Sequence, residues 1–216
     1  MTTKPDSALL ALHKHDGIGG FFVEDDLIDT IPDTKNFYVG EVGRMDRIDN
    51  GCTVEMMAEA KARGCVTNLD AFASTSENLS LVAPLLPYTD HFMPSDEEAM
   101  APSGLSDFEE ITQFLLDQSA GAVILTLGEG GVIYRDKNAT RFDLPSFMID
   151  VFCTCGCGDR FNTGFASGLH LKKSTEDCLY LGEASPAQNA LGLGSQAVVE
   201  SLDQTMNFIE TKSLRV

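Results

Sequence analysis

A chain of 216 residues with a 43% hydrophobic share is long enough for one domain with a full core. Its 15 Lys and Arg against 33 Asp and Glu leave a formal charge of −18, a surface that repels nucleic-acid phosphates and anionic lipid, so neither nucleic acid nor membrane is expected as a partner. No apolar run reaches membrane-spanning length and "MTTKPDSALLALHKHDG" lacks a basic leader and cleavage site, so a cytoplasmic protein is expected.

Acidic residues fall in short clusters such as Glu24–Asp26 and Asp96–Glu98, which read as solvated faces. Any anionic ligand must then be held by local geometry and not by the overall field. The six cysteines read as free thiols of a reducing compartment.

In chain order, "NFYVGEV" (Asn36–Val42) reads as a strand. "TVEMMAEAKAR" follows as a helix with Val54, Met57, Ala58 and Lys61 at helical spacing, closed by Gly64. "CVTNLD" (Cys65–Asp70) is the next strand, "LSLVAPLL" a helix, "DHFM" a short strand and "DEEAM" a helix start. In "SDFEEITQFLLDQ", Ser106 with Glu109 three residues on is the pattern of a capping box. "AVILTL" (Ala122–Leu127) is all apolar, as a strand buried on both faces of a parallel sheet is. "GVIYRD" and "TRFDL" look like antiparallel edge strands. "DRFNTGFASGLHL" is helical, and a last helix is expected to start at Ser185 as cap with Pro186 in the first turn.

Strand–helix alternation with short connections predicts a single α/β domain over residues 1–216, its mainly parallel sheet covered by helices on both faces. Ligands of such folds sit at the carboxyl ends of the strands. "CTCGCGDRFNTGF" (Cys153–Phe165) lies at such a position and admits two readings. As a zinc site it lacks the second ligand pair, because Cys52, Cys65 and Cys178 are isolated. As a Gly-x-Gly turn at a helix start it frees consecutive amides to converge, and the helix dipole adds positive potential. With no Gly-x-x-x-x-Gly-Lys motif in the chain, an anion there would be held by amides, with Asp159 beside it. Asp159 is then either a helix cap or a base beside a transferring phosphoryl group, and spacing alone favours neither.

This stretch resembles the C-terminal motif of the PfkB, or ribokinase-like, carbohydrate kinases, D-T-x-G-A-G-D-x-F-x-x-G, matched by Thr154, Gly156, Gly158, Asp159, Phe161 and Gly164. Three further stretches resemble the family in the right order. "AEAKARGCVTNLD" is similar to its helix and strand before a substrate-side aspartate, "LLPYTDHFMPSDEEA" to its N-x-x-E segment, and "VILTLGEGGVIY" to its T-x-G-x-x-G nucleotide strand. The resemblance implies a Rossmann-like three-layer fold and an ATP- and Mg²⁺-dependent kinase acting on a hydroxyl of a sugar or sugar-like substrate.

By the same resemblance, Asp159 is the catalytic base, and the amides of Gly156, Cys157 and Gly158 stabilise the phosphoryl charge. Thr126, Gly128, Gly131 and Asn189 line the nucleotide site, and Glu98 helps to place Mg²⁺. The bland alternatives are a strand end and turn for Thr126 and its glycines, and a solvated helix residue for Glu98. Two positions depart from the family: Cys153 stands for its first Asp and Ser95 for the Asn of N-x-x-E. "FFVEDDLIDTIPDTKNFYVGEV" already resembles the middle of a family member, so an N-terminally truncated chain without the sugar-binding and lid segment is expected. Exposed sheet edges would then favour a homodimer. The alternative function is an inactive truncated homologue that keeps nucleotide binding or dimerisation.

Overall fold

Six short runs rich in β-branched and aromatic residues build one sheet, in a computed structural model that describes residues 35–42, 51–71, 79–118, 120–199 and 201–215. The acidic cluster Glu24–Asp26, and most of the stretch that resembles a mid-protein start, lie outside the described residues. The described residues divide into two compact units, one drawn from residues 35–127 with 133–142 and the other from residues 128–132 with 143–215.

In the first unit β1 (Asn36–Val42), α1 (Cys52–Ala62), β2 (Val66–Ala71), α2 (Leu79–Val82), β3 (His91–Phe92), α3 (Asp96–Ser103), α4 (Phe108–Asp117) and β4 (Ala122–Thr126) follow one another. β5 (Val132–Asp136) and β6 (Arg141–Leu144) complete the sheet in the order β1-β2-β3-β4-β5-β6. β1 to β4 are parallel, with Asn36 opposite Val66, Asn68 opposite His91 and Phe92 opposite Val123. β5 reverses direction, since Lys137 just beyond it donates to Gly121 O just before β4 at 3.2 Å.

Val39, Leu69, Phe92, Val123 and Leu125 share one core with Met57 of α1, Val82 of α2, Ala99 of α3, and Ile111 and Leu115 of α4. Val123, Ile124 and Leu125 are all fully buried, so β4 is covered on both faces, as its unbroken apolar run predicts. The approach to β3 is fixed by Asp90. Its carboxylate pairs with Lys61 and accepts from the Thr67 amide (2.9 Å) and hydroxyl (3.1 Å). Burial works against that charge, yet Lys61 and Thr67 hold the carboxyl below its ordinary value.

The second unit holds α5 (Cys157–His170), α6 (Thr175–Asn189) and α7 (Leu202–Thr211). Glycines set the closeness of α5 and α6. A Cβ on Gly164 would stand 2.3 Å from Leu181 O, one on Gly168 2.7 Å from Cys178 Sγ, and the Phe161 ring lies 2.9 Å from where a Gly182 Cβ would be. Phe208 of α7 meets Phe147 edge-on at 5.2 Å, and Gln188 Nε2 donates to Thr205 Oγ1 at 2.9 Å. Among the described residues no helix is long and apolar enough to cross a membrane.

Several sequence expectations change. α1 buries Thr53, Met57 and Ala60, a face one residue out of step with Val54, Ala58 and Lys61. "LSLVAPLL" gives one helical turn only. Pro84 has no amide to continue it, and a 3₁₀ turn at Leu86–Tyr88 follows. The cap of α4 is Asp107, not Ser106: its Oδ1 accepts from the amides of Glu109 and Glu110, both at 3.0 Å. The Glu109 carboxylate is instead drawn to Arg135 and Arg141 and pairs with both. The capping box forms at Ser95 and Glu98. Ser185 and Pro186 lie inside α6, which starts eleven residues earlier at the Ser174 cap, 3.1 Å from the Asp177 amide. Pro186 is tolerated near the helix end, where the Ser185 hydroxyl bonds Leu181 O at 3.0 Å and burial of the flanking residues outweighs one missing amide bond. The next helix is α7, capped by Ser201.

The α5–α6 contact generates a direct prediction. Gly164→Ala forces the helices apart and is expected to destabilise the fold by roughly 2–4 kcal/mol, read as a lower urea midpoint. An unchanged midpoint would contradict the tight glycine packing.

Candidate active site

The second unit carries the glycine turn. Gly156 has φ +72°, and Ser195 packs where its side chain would be, with Cβ 2.6 Å and Cα 2.9 Å from an ideal Cβ. Only glycine fits both the left-handed backbone and that contact. Asn189 is fully buried and holds the two sides together. Its Nδ2 donates to Cys155 O at 2.9 Å, and its Oδ1 accepts from the Ala197 amide at 3.1 Å. Arg160 Nε adds a bond to Ser195 O at 3.2 Å. Asn189 therefore acts from behind the turn.

The amides of the turn divide into two kinds. Cys157 N–H closes a turn onto Thr154 O at 3.2 Å, and the first amide to bond back into the helix is that of Arg160, to Gly156 O at 3.0 Å. Gly158 and Asp159 lie between them, and their amides bond no described residue. These are the open donors of the helix N-terminus. The Asp159 side chain is exposed at the same turn, while its carbonyl accepts from Thr163 Oγ1 at 2.8 Å. Carboxylate and open amides thus share the first turn of α5, on the positive end of its dipole.

The first unit carries a second group at the carboxyl edge of its sheet. The β1 end bulges at Gly40 and Glu41, with Glu41 at φ +61°. Thr126 ends β4 beside Ser95, its amide donating to Pro94 O at 3.0 Å. Glu98 Oε2 accepts the Ser95 amide at 2.8 Å, and Ser95 Oγ accepts the Glu98 amide at 3.3 Å. Burial pushes the Glu98 carboxyl above its ordinary value, Glu41 and Glu97 push the same way, and the Ser95 bonds oppose them. Glu98 is therefore neither a plain solvated residue nor a free carboxylate.

The 3₁₀ turn Gly128–Gly130 follows β4. Gly131 has φ +88° and lies against Leu144 O, which an added Cβ would meet at 2.1 Å. Ser146 Oγ donates to Glu129 O at 2.7 Å, which ties this turn to the segment after β6. Among the predicted residues, Gly156, Cys157, Gly158, Asp159 and Asn189 come together in one unit, and Glu98 and Thr126 in the other.

The sequence reading missed Ser195, Gly194 and Ala197, whose loop closes over the turn and whose composition carries no recognisable pattern. It also missed the Asp159 amide, which counting donors inward from Gly156 would have found. Glu183 on α6 escaped notice too. It is 7% exposed, and burial pushes its carboxyl up to about 8.

A mainly parallel sheet with a glycine turn opening a later helix defines an α/β protein with a helix N-terminus open to an anion. Residues 23–202 match the family model for pfkB family carbohydrate kinases, and the chain belongs to that family. Over 131 residues it is 28% identical to the ribokinase of Haemophilus influenzae, covering 58% of this chain and 42% of that protein. Over 135 residues it is 31% identical to the ATP-dependent 6-phosphofructokinase of Thermoanaerobacterium thermosaccharolyticum, covering 62% of this chain and 41% of that protein. The chain thus spans about two-fifths of the length of these curated relatives. The structure of aminoimidazole riboside kinase from Salmonella enterica, solved with aminoimidazole riboside and an ATP analogue, superposes with a TM-score of 0.74 at 20% identity. That match covers 87% of this chain and 67% of the other, and it shows the shared fold.

Glu183 supplies a pH test. Its folded carboxyl stays neutral up to about 8 whereas an unfolded one ionises near 4.5. Stability is therefore fully present below about 4.5 and is lost as pH rises through about 8. Glu183→Gln is expected to raise the Tm at pH 8 by several degrees and to leave it nearly unchanged at pH 4.5. Equal Tm differences at both pH values would contradict the burial argument.

Proposed function

We propose that this chain transfers the terminal phosphoryl group of ATP to a hydroxyl of a sugar or sugar-like substrate. The observation that carries this reading is the first turn of α5, where the open amides of Gly158 and Asp159 adjoin the exposed Asp159 carboxylate. Phosphoryl transfer needs little covalent help from a protein. It needs positioning, a base for the hydroxyl proton and donors for the developing charge. Asp159 takes the substrate hydroxyl proton as that oxygen bonds the γ-phosphorus and the bond to ADP breaks. The Gly158 and Asp159 amides receive the charge on the phosphoryl oxygens. Gly156 and Cys157 act through the shape of the turn, and Asn189 keeps that shape.

Thr126, Gly128 and Gly131 line the nucleotide in this reading. Glu98 is the carboxylate for Mg²⁺. A hard oxygen donor with Glu41 and Glu97 as like-charged neighbours suits a cation that typically binds one or two carboxylates and keeps its waters. When bound, Mg²⁺ neutralises charge on the β- and γ-phosphoryl oxygens. Residues 1–216 act as one nucleotide-binding and catalytic domain in the cytoplasm, with a surface too acidic for nucleic acid or anionic membrane.

A second reading is supported by two observations. Cys153 replaces an acid of the family motif, and Met148, Val151, Phe152 and Leu193 are 57%, 54%, 69% and 80% exposed. A nucleotide-binding homologue that dimerises over these apolar side chains without turnover would share both features.

ATP consumption over a panel of sugars and nucleosides separates the two. Asp159→Asn is expected to lower turnover by about 10²–10⁴-fold while Mg²⁺–ATP binding persists. Wild-type turnover no higher than that of the variant, with binding intact, would favour the second reading.

A further inference from the structure

One serine holds Arg215 at the Gly128–Gly130 turn. After α7 the chain runs antiparallel to the segment that follows β6, with Leu214 bridged to Phe147. The Met148 amide donates to Ser213 O at 2.8 Å, and the Arg215 amide to Ser146 O at 2.7 Å. The Ser146 hydroxyl donates in turn to Glu129 O. Ser146 therefore accepts from the Arg215 backbone and donates to the turn. Leu214 packs with Phe147 and Phe208, so burial as well as hydrogen bonding fixes where Arg215 stands.

The side chain placed there is under-bonded. Arg135 spends its guanidinium on Glu109, Tyr134 O and Phe142 O, and Arg160 bonds Ser195 O. The Arg215 side chain makes no hydrogen bond to any described residue, and its Nε is buried without a partner. Its Nη1 stands 3.7 Å from Glu129 Oε2, beyond hydrogen-bond range, and the side chain stays 38% exposed. Glu129 is itself 84% exposed, so solvent screens the pair and it contributes little to stability. A guanidinium is a planar fork of five donors that suits phosphoryl oxygens, and leaving one of them buried and unbonded is costly. A loose surface ion pair does not account for that arrangement.

The turn that Arg215 adjoins is the one read above as lining the nucleotide. A chain of formal charge −18 draws no phosphate through its net field, so a cation fixed at the site has a large effect on binding. We infer that Arg215 is a phosphate-binding residue of the nucleotide site, a role that rests on the proposed phosphoryl transfer. Its outer guanidinium nitrogens donate to a phosphoryl oxygen of the nucleotide lined by Gly128 and Gly131. The phosphoryl group takes the place of the loose Glu129 pairing. Glu129 is then a competing carboxylate that the nucleotide displaces.

The test measures Kd for ATP, ADP and adenosine, with Mg²⁺ present, using the full chain and Arg215→Gln. ATP and ADP are expected to bind the variant about ten- to a hundredfold more weakly, as loss of a charge-assisted hydrogen bond implies, and adenosine equally well. Arg215→Lys should recover part of the loss, since a cation remains without the planar fork. Glu129→Gln removes the competing charge at an exposed position that folding does not depend on. It should tighten ATP binding and leave adenosine unchanged. ATP affinity that neither Arg215→Gln nor Glu129→Gln alters would overturn the inference. So would an Arg215→Gln loss that extends equally to adenosine with no gain from Glu129→Gln. A wild-type chain that binds none of the three would overturn the proposed function as well, whereas wild-type binding left intact by Arg215→Gln overturns this inference alone.

Discussion

The site depends on how one buried amide side chain ties a turn to a loop. Asn189 spends its nitrogen on Cys155 O and its oxygen on the Ala197 amide, and so fixes the backbone just before α5 against residues 190–199. Gly156 can then take a left-handed conformation with Ser195 filling the space a side chain would need. The two open amides of the helix end follow directly on that turn. A buried amide with both ends satisfied is stable, but removing either partner would strand a polar group at a cost of about 1–3 kcal/mol. The geometry of the turn is therefore set by residues that do not touch a ligand.

The formal charge of −18 gives this arrangement its meaning. A protein so acidic cannot attract phosphate through its net field, and the described part of the turn offers backbone donors and a helix dipole in place of a lysine. Several carboxylates are each handled locally. Glu109 is matched by Arg135 and Arg141, and Glu98 is shared with the Ser95 amide. Glu183 is kept neutral by burial. Burial, pairing and hydrogen bonding thus give carboxyl groups of one chain different charge states at one pH.

How much of this was legible in the sequence depended on whether the signal was local. The apolar run Val123–Leu125 and the strand at Asn36–Val42 carry their own periodicity, and both form as expected. Gly156, Gly158 and Asp159 sit in a pattern whose spacing alone suggests a helix start, and α5 begins there. The failures were tertiary. Ser185 and Pro186 look like a helix start until the ten buried residues of α6 are counted, and Ser106 loses the cap to an aspartate one residue nearer the helix. Glu109 left its own helix end because two arginines on distant strands compete for it. The loop that closes on Gly156 had no sequence mark at all, since Ser195 and Ala197 act through size and backbone.

The central claim is that the first turn of α5 receives the phosphates of a nucleotide through the amides of Gly158 and Asp159. The most direct measurement is a ¹⁵N NMR titration of the whole chain with Mg²⁺ and a non-hydrolysable ATP analogue. The amide resonances of Gly158 and Asp159 are expected to move and their hydrogen exchange to slow, while the Cys157 amide, already bonded to Thr154 O, changes less. Saturable binding that leaves the Gly158 and Asp159 amides unmoved would contradict the account.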